Sequence, residues 1–159
     1  MLEPPFNGAV VAAMLTLNNA YAKELSFKSQ SEFIDLLAAA SHVRALPDGE
    51  AFIVAFHEEC TYDNPNFEWF KKRFDRFYYI DRVVVAQAQR GKGVARQFYA
   101  DLEKTARVEN RARLVCEINS VPANPASDNF HLDLGFLPVG EQVMSASSKT
   151  VRYWSKQLA

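Results

Sequence analysis

The chain has 159 residues, enough for one domain with a substantial core and too few for two of ordinary size. Apolar residues make up 48% and charged residues 23%, a globular balance that excludes a disordered tail or a fibrous repeat. The formal net charge is −1, no apolar run nears the roughly 20 residues that span a bilayer, and Met1 to Phe6 lacks the basic start of a signal peptide, so neither nucleic acid nor membrane is an expected partner and the expected location is the cytoplasm.

Asn7 can cap a helix whose apolar residues Val10, Met14, Leu17 and Tyr21 fall on one face. Ser29 with Glu32 has the form of a capping box, followed by the stripe Phe33, Leu36, Leu37, Ala40 of a second helix. His42 to Leu46, the turn Pro47-Asp48-Gly49 and Ala51 to Phe56 read as a β-hairpin. From His57 to Phe74 the chain is polar and aromatic at once, with Asn64-Pro65 as a breaker and Phe67, Phe70 and Phe74 at helical spacing, which predicts a loop with a short helix. Tyr78 to Ala86 is a strand rich in Val and Tyr; a glycine turn and a helix carrying Ala95, Phe98, Leu102 and Ala106 on one side follow. Arg113 to Asn119 is another strand, Asn124-Pro125 opens a helix that stops before Gly135, and Phe136 to Val143 and Thr150 to Lys156 supply two more strands. The order implies an α/β fold, a mixed sheet of about six to seven strands flanked by about four helices, in a single domain over residues 1–159.

Cys60 and Cys116 are too few for a disulfide framework and lack the spacing of a zinc site, so no metal is expected. Cys116, inside an apolar run, is expected to pack as a small hydrophobe. The informative segment is Arg90-Gly91-Lys92-Gly93-Val94-Ala95-Arg96. Two glycines one residue apart let successive backbone N–H groups converge, and the start of a helix adds positive potential, a combination suited to an anion. Between Arg90 and Arg113 seven basic residues face three acidic ones, which predicts a phosphorylated ligand; the plainer alternative is a chain turn beside a solvated basic helix face. No Ser or Thr follows Lys92 as a nucleotide-hydrolysing phosphate loop requires, and the third glycine of a dinucleotide fingerprint is missing.

The pattern of Arg or Gln, then Gly three residues on and Gly or Ala two beyond that, met here by Arg90, Gly93 and Ala95 after a Val-rich strand, resembles the GNAT superfamily of acetyl-CoA-dependent N-acetyltransferases. Asn124, Ser127, His131, Gly135 and Phe136 are similar to that family's later helix, which carries Tyr where this chain has His131. Leu17-Asn18-Asn19, Tyr79-Ile80-Asp81-Arg82 and Cys116-Glu117-Ile118-Asn119 resemble a bacterial group of acetyltransferases inferred from sequence.

The resemblance implies that the strand before the turn and the next parallel strand splay apart and that acetyl-CoA lies in the gap. Val83 and Val85, with Val84 between them, would offer backbone groups to the pantetheine arm; Arg90 to Arg96 would hold the pyrophosphate; Asn124, Ser127 and His131 would border the cofactor. By the same analogy the Val85 N–H stabilises the oxyanion. An ammonium with a pKa of ~10 must lose its proton before attack, and Glu117 and Asp81 are the candidate bases; each could instead serve an ion pair with Arg82 or Arg113. His131, in the place of a Tyr that protonates the leaving thiolate, is the candidate acid, or else a structural residue of its helix. The aromatic segment Tyr62 to Phe74 either borders the acceptor site or forms a satellite hydrophobic cluster. The implied activity is acetyl transfer to a primary amine, small molecule or peptide, by direct attack in a ternary complex. A CoA-binding module of the same fold without efficient turnover is the alternative, and a homodimer remains open.

Overall fold

Polar side chains set where most of the helices begin. In the computed structural model, which describes residues 1–158, Asn7 caps α1 (Gly8–Ala20), a reciprocal Ser29–Glu32 capping box starts α2 (Gln30–Ala39), and Asn64 caps α3 (Pro65–Lys71). Helix α4 (Val94–Val108) begins at Gly93 with no side-chain cap, and Asn124 caps α5 (Pro125–Asp133). The strands are β1 (His42–Ala45), β2 (Ala51–His57), β3 (Phe77–Val85), β4 (Arg113–Val121), β5 (Leu137–Met144) and β6 (Lys149–Gln157). They form one mixed sheet in the order β1-β2-β3-β4-β6-β5, antiparallel throughout except for β3 beside β4. Six strands and five α-helices match the expected α/β class.

The sheet separates two cores, because alternate strand residues point to opposite faces. Phe33, Phe52, Phe56, Phe67 and Phe70 cluster on the face covered by α1, α2 and α3. Tyr78, Ile80, Phe98, Leu102, Leu114 and Phe136 cluster on the face covered by α4 and α5. On α1 the buried stripe is Val10, Met14 and Asn18, while Leu17 and Tyr21 are half-buried at its border. The fully buried Asn18 is a polar position that apolar periodicity does not mark. Among the described residues no helix is long and apolar enough to cross a membrane.

One irregularity positions the functional region. Ala55 pairs with Ile80 but Val54 pairs with Arg82, so Asp81 is the extra residue of a β-bulge. A bulge bends its strand, and β3 pairs with β4 only over Phe77 to Tyr79 against Arg113 to Val115. Beyond that point β3 stays with β2 and β4 stays with β6 as far as Val121, so the two parallel strands part.

Next to this opening, Trp69 of α3 stacks on Tyr153 of β6 with ring centroids 4.0 Å apart. A Cβ on Gly140 of β5 would overlap the Trp69 indole, so this glycine is required by close approach. Replacing Gly140 by Val should cost about 1–3 kcal/mol through overpacking. At this chain length the melting temperature should fall by roughly 2–4 °C per kcal/mol in a thermal scan.

Candidate functional site

After β3 a 3-10 turn, Gln87–Gln89, leads into the glycine segment, where Gly91 and Gly93 take φ values of +75° and +77° that side-chain-bearing residues rarely adopt. Among the described residues α4 alone of the five α-helices starts without a side-chain cap, so its first N–H groups remain available to a ligand. This start borders a cavity lined by Val85, Gly91, Gly93, Ala95, Arg96 and Phe130, and a Cβ on Gly91 or Gly93 would meet no protein atom within 4 Å. The cradle therefore fits a diphosphate that approaches the backbone closely. Arg90 donates to the Tyr21 hydroxyl (2.7 Å) and to the Val85 carbonyl (3.3 Å), tying the turn to the end of α1; Lys92 lies 3.4 Å from Gln89 Oε1.

The basic excess counted along the sequence is not one surface. Arg107 pairs with Glu103, buried Arg111 joins Glu58, Glu59 and Glu109, and Arg113 stacks over Phe74. These three are engaged away from the turn, leaving Arg90, Lys92 and Arg96 as the basic residues beside the glycines, with Arg96 3.7 Å from Asp133.

Where β3 and β4 part, a cavity of about 180 Å³ is lined by Val83, Tyr99, Cys116, Glu117, Asn124, Ser127 and His131 among others. A second cavity of about 300 Å³ is lined by Tyr62, Asp63, Asn66 and Lys149 among others. Both share Asp81, Arg82, Glu117 and Asn119, so the two spaces meet at the strand opening. Of the expected cofactor residues, Val83, Asn124, Ser127 and His131 line the first cavity and Val85 lines the glycine cavity. The Val84 side chain lies in the opposite core, and Asn124 Oδ1 accepts from the Ser127 N–H.

The bulge changes strand parity. Without it Asp81 would share a face with Val83 and Val85; instead it turns toward the α1 side together with Arg82. Its two oxygens accept from the Tyr62 hydroxyl (2.6 Å) and from Arg82 Nε (2.6 Å). Glu117, on the same side, accepts from the Tyr79 hydroxyl at 2.9 Å through Oε1; among the described residues buried Oε2 has no hydrogen-bond partner within range, although the nearby Asn66 side chain favours the ionised form. Burial, and then the charge of Asp81, push its pKa up to about 8. The Tyr79 phenol is driven well above its ordinary value, again mainly by burial, and stays a donor.

His131 is buried with both ring nitrogens engaged. Nδ1 lies 2.7 Å from the Ser127 carbonyl, which can only accept, so Nδ1 carries the proton. Burial lowers the pKa and favours the neutral ring, whose Nε2 then accepts from the Tyr99 hydroxyl at 2.7 Å. A free imidazolium is thus not what this cavity presents; a phenol–imidazole pair is.

Residues 12–136 match the family model described as acetyltransferase (GNAT) family. The chain belongs to the GNAT family. Solved GNAT relatives show the same architecture. An aminoglycoside 6'-N-acetyltransferase complexed with coenzyme A superposes with a TM-score of 0.72 at 10% identity, covering 100% of this chain and 96% of that one. A chain of the NatC complex bound to Gag peptide and CoA gives 0.70 at 17% identity over 96% and 93%. The ribosomal-protein-S18-alanine N-acetyltransferase of Escherichia coli gives 0.66 at 11% identity over 97% and 91%. No curated protein matches significantly by sequence.

In this GNAT chain sequence reasoning attached no role to Tyr79, quoted only within a segment that resembles related sequences, or to Tyr99, because phenol hydroxyls leave no trace in apolar periodicity. Asn18 stood inside a segment that resembles related sequences without any role attached, whereas the ion pair expected as the alternative role of Asp81 forms with Arg82. The segment Tyr62 to Phe74 divides: Tyr62, Asn64 and Asn66 line the second cavity, whereas Phe67 and Phe70 belong to the main core.

Proposed function

We propose that this GNAT protein, a single acetyltransferase domain, is an acetyl-CoA-dependent N-acetyltransferase that passes the acetyl group directly to a primary amine in a ternary complex. The observation that carries this is the meeting of two cavities at Glu117, a buried carboxyl with one unpartnered oxygen. When bound, acetyl-CoA supplies a thioester carbonyl open to attack by an amine. The glycine turn from Arg90 to Arg96 would hold its diphosphate, and the unpaired edge of β3 at Val83 and Val85 would hold the pantetheine arm. The acceptor enters from the Tyr62 and Asn66 side. There Glu117 takes the proton of the ammonium, a task suited to a base with a pKa near neutrality.

Direct transfer is favoured because Cys116, the thiol beside the opening, is buried and its pKa is pushed up, which makes it a poor nucleophile. On the cofactor side the Tyr99 hydroxyl and the neutral His131 that accepts from it would border the thioester sulfur. The solved relatives act on aminoglycosides and on ribosomal protein S18, so a small molecule and a peptide are both open as acceptors.

CoA or acetyl-CoA at a hundred times Kd should stabilise the protein by about 2.7 kcal/mol, raising its melting temperature by roughly 5–10 °C, whereas ATP and NAD should leave it unchanged. Free-thiol release from acetyl-CoA across a panel of amines then tests turnover. Equal shifts with all nucleotides, or binding with no thiol released from acetyl-CoA in the presence of any amine, would replace the proposal by a general nucleotide binder or a CoA-binding module.

A further inference from the structure

Two carboxyls facing one buried space cannot both ionise freely unless one has a counter-ion. Asp81 has one: the Asp81 and Arg82 side chains are 3% and 5% exposed and pair at 2.6 Å. Neighbouring strand residues normally point to opposite faces, and only the bulge lets these two meet on the same side. Arg82 is held from behind as well. Its Nη1 donates to Asn18 Oδ1 at 2.8 Å, and Asn18 is fully buried in α1. The Asn18 amide cannot be flipped, because Nδ2 donates to the Ser26 carbonyl (3.0 Å) and to Asn19 Oδ1 (3.1 Å), leaving Oδ1 for the guanidinium. Among the described residues Glu117 has no cationic partner of its own.

We propose that Asn18, Arg82 and Asp81 form a positioning unit that governs when Glu117 accepts a proton, without touching the reacting atoms. It extends the assignment of Glu117 as the base and rests on it for its catalytic meaning, though not for its measurement. The Asp81 carboxylate opposes ionisation of Glu117, Arg82 limits that opposition, and Asn18 fixes the guanidinium where it can do so. Phenols that stay neutral surround Glu117, namely Tyr79 of β3, Tyr62 before α3, Tyr153 of β6 and Tyr99 of α4, while Glu24, Lys28, Asp63 and Lys149 line the cavities it opens into. Cys116 points to the other face with its thiol protonated. Among these charges Asp81 acts most directly on Glu117, and Arg82 is the paired counter-ion of Asp81.

The test is carbon-13 carboxyl NMR on glutamate-labelled full-length protein, the Glu117 resonance being assigned by its loss in Glu117→Gln. Asp81→Asn should lower the titration midpoint of Glu117 by about one pH unit or more. Arg82→Met should raise it, and Asn18→Leu should raise it by less. If the three residues serve only to keep the site closed, every variant admits water and the midpoint drifts down in all of them, which would overturn the proposal. Asp81→Asn is isosteric and should fold even where the other two do not; an unchanged midpoint in that variant alone is also decisive against it. Because no acceptor is needed, failure here is distinct from failure of Glu117 as base, which kinetics of Glu117→Gln reports.

Discussion

Replacing Glu117 by Gln should lower kcat by about 10²-fold or more while CoA still raises the melting temperature as in the wild type. The amide keeps the shape and can still accept from Tyr79, so the cofactor side is untouched; what is lost is an oxygen able to take a proton. In the wild type kcat/KM should climb as pH rises through about 8, where Glu117 ionises, and in the variant the climb should move toward the acceptor's own ionisation near ~10. Retention of both rate and profile would remove Glu117 from the mechanism.

The same substitution has a stability signature whose sign is set by linkage. The folded-state pKa is raised above the ordinary carboxyl value, so between that value of 4.5 and about 8 the native protein holds a proton that the unfolded chain has lost. Wild-type stability attributable to this group is present at acid pH, falls across the window and levels off above about 8. Glu117→Gln escapes the loss. Relative to the wild type it should gain on the order of a few kcal/mol between pH 4 and pH 9, measured by thermal unfolding at both.

Replacing Gly93 by Val should abolish the CoA-induced rise in melting temperature in a protein that still folds. Gly93 is the left-handed N-cap of α4, and no protein atom lies within 4 Å of a Cβ built there, so the chain itself does not clash. The intrinsic cost is the positive φ, about 1–2 kcal/mol for an L-residue. Two routes then lead to lost binding. Either the branched side chain occupies the open space above the backbone, or φ relaxes and the N–H groups of the turn no longer converge. Isothermal titration with CoA should give an affinity at least tenfold weaker; an unchanged affinity would place the diphosphate elsewhere.

The sequence by itself determined what depends on neighbours along the chain. Helix starts followed from Asn7, Ser29 and Asn124, whose side chains cap groups three residues away, and the glycine turn followed from backbone freedom at Gly91 and Gly93, whereas Asn64, expected only as a breaker, caps α3. Strand and helix order, and with it the mixed sheet, came from apolar periodicity, while the family resemblance came from the spacing of Arg90, Gly93 and Ala95 and the later Asn124 to Phe136 helix. Only the tertiary structure decided which charges act together. One extra residue at Asp81 turned its side chain to the opposite face and gave it Arg82 as partner, while Glu117 was left with a bare oxygen. The basic residues from Arg90 to Arg113 separated, Arg90, Lys92 and Arg96 staying at the turn while Arg107 and Arg111 joined distant ion pairs and Arg113 stacked on Phe74, once β4 and α4 were placed in space. His131 met Tyr99 from another helix and took the neutral form. Pairing across 64 residues, as between Arg82 and Asn18, and desolvation by surrounding groups depend on three-dimensional distance, which local periodicity and spacing do not encode.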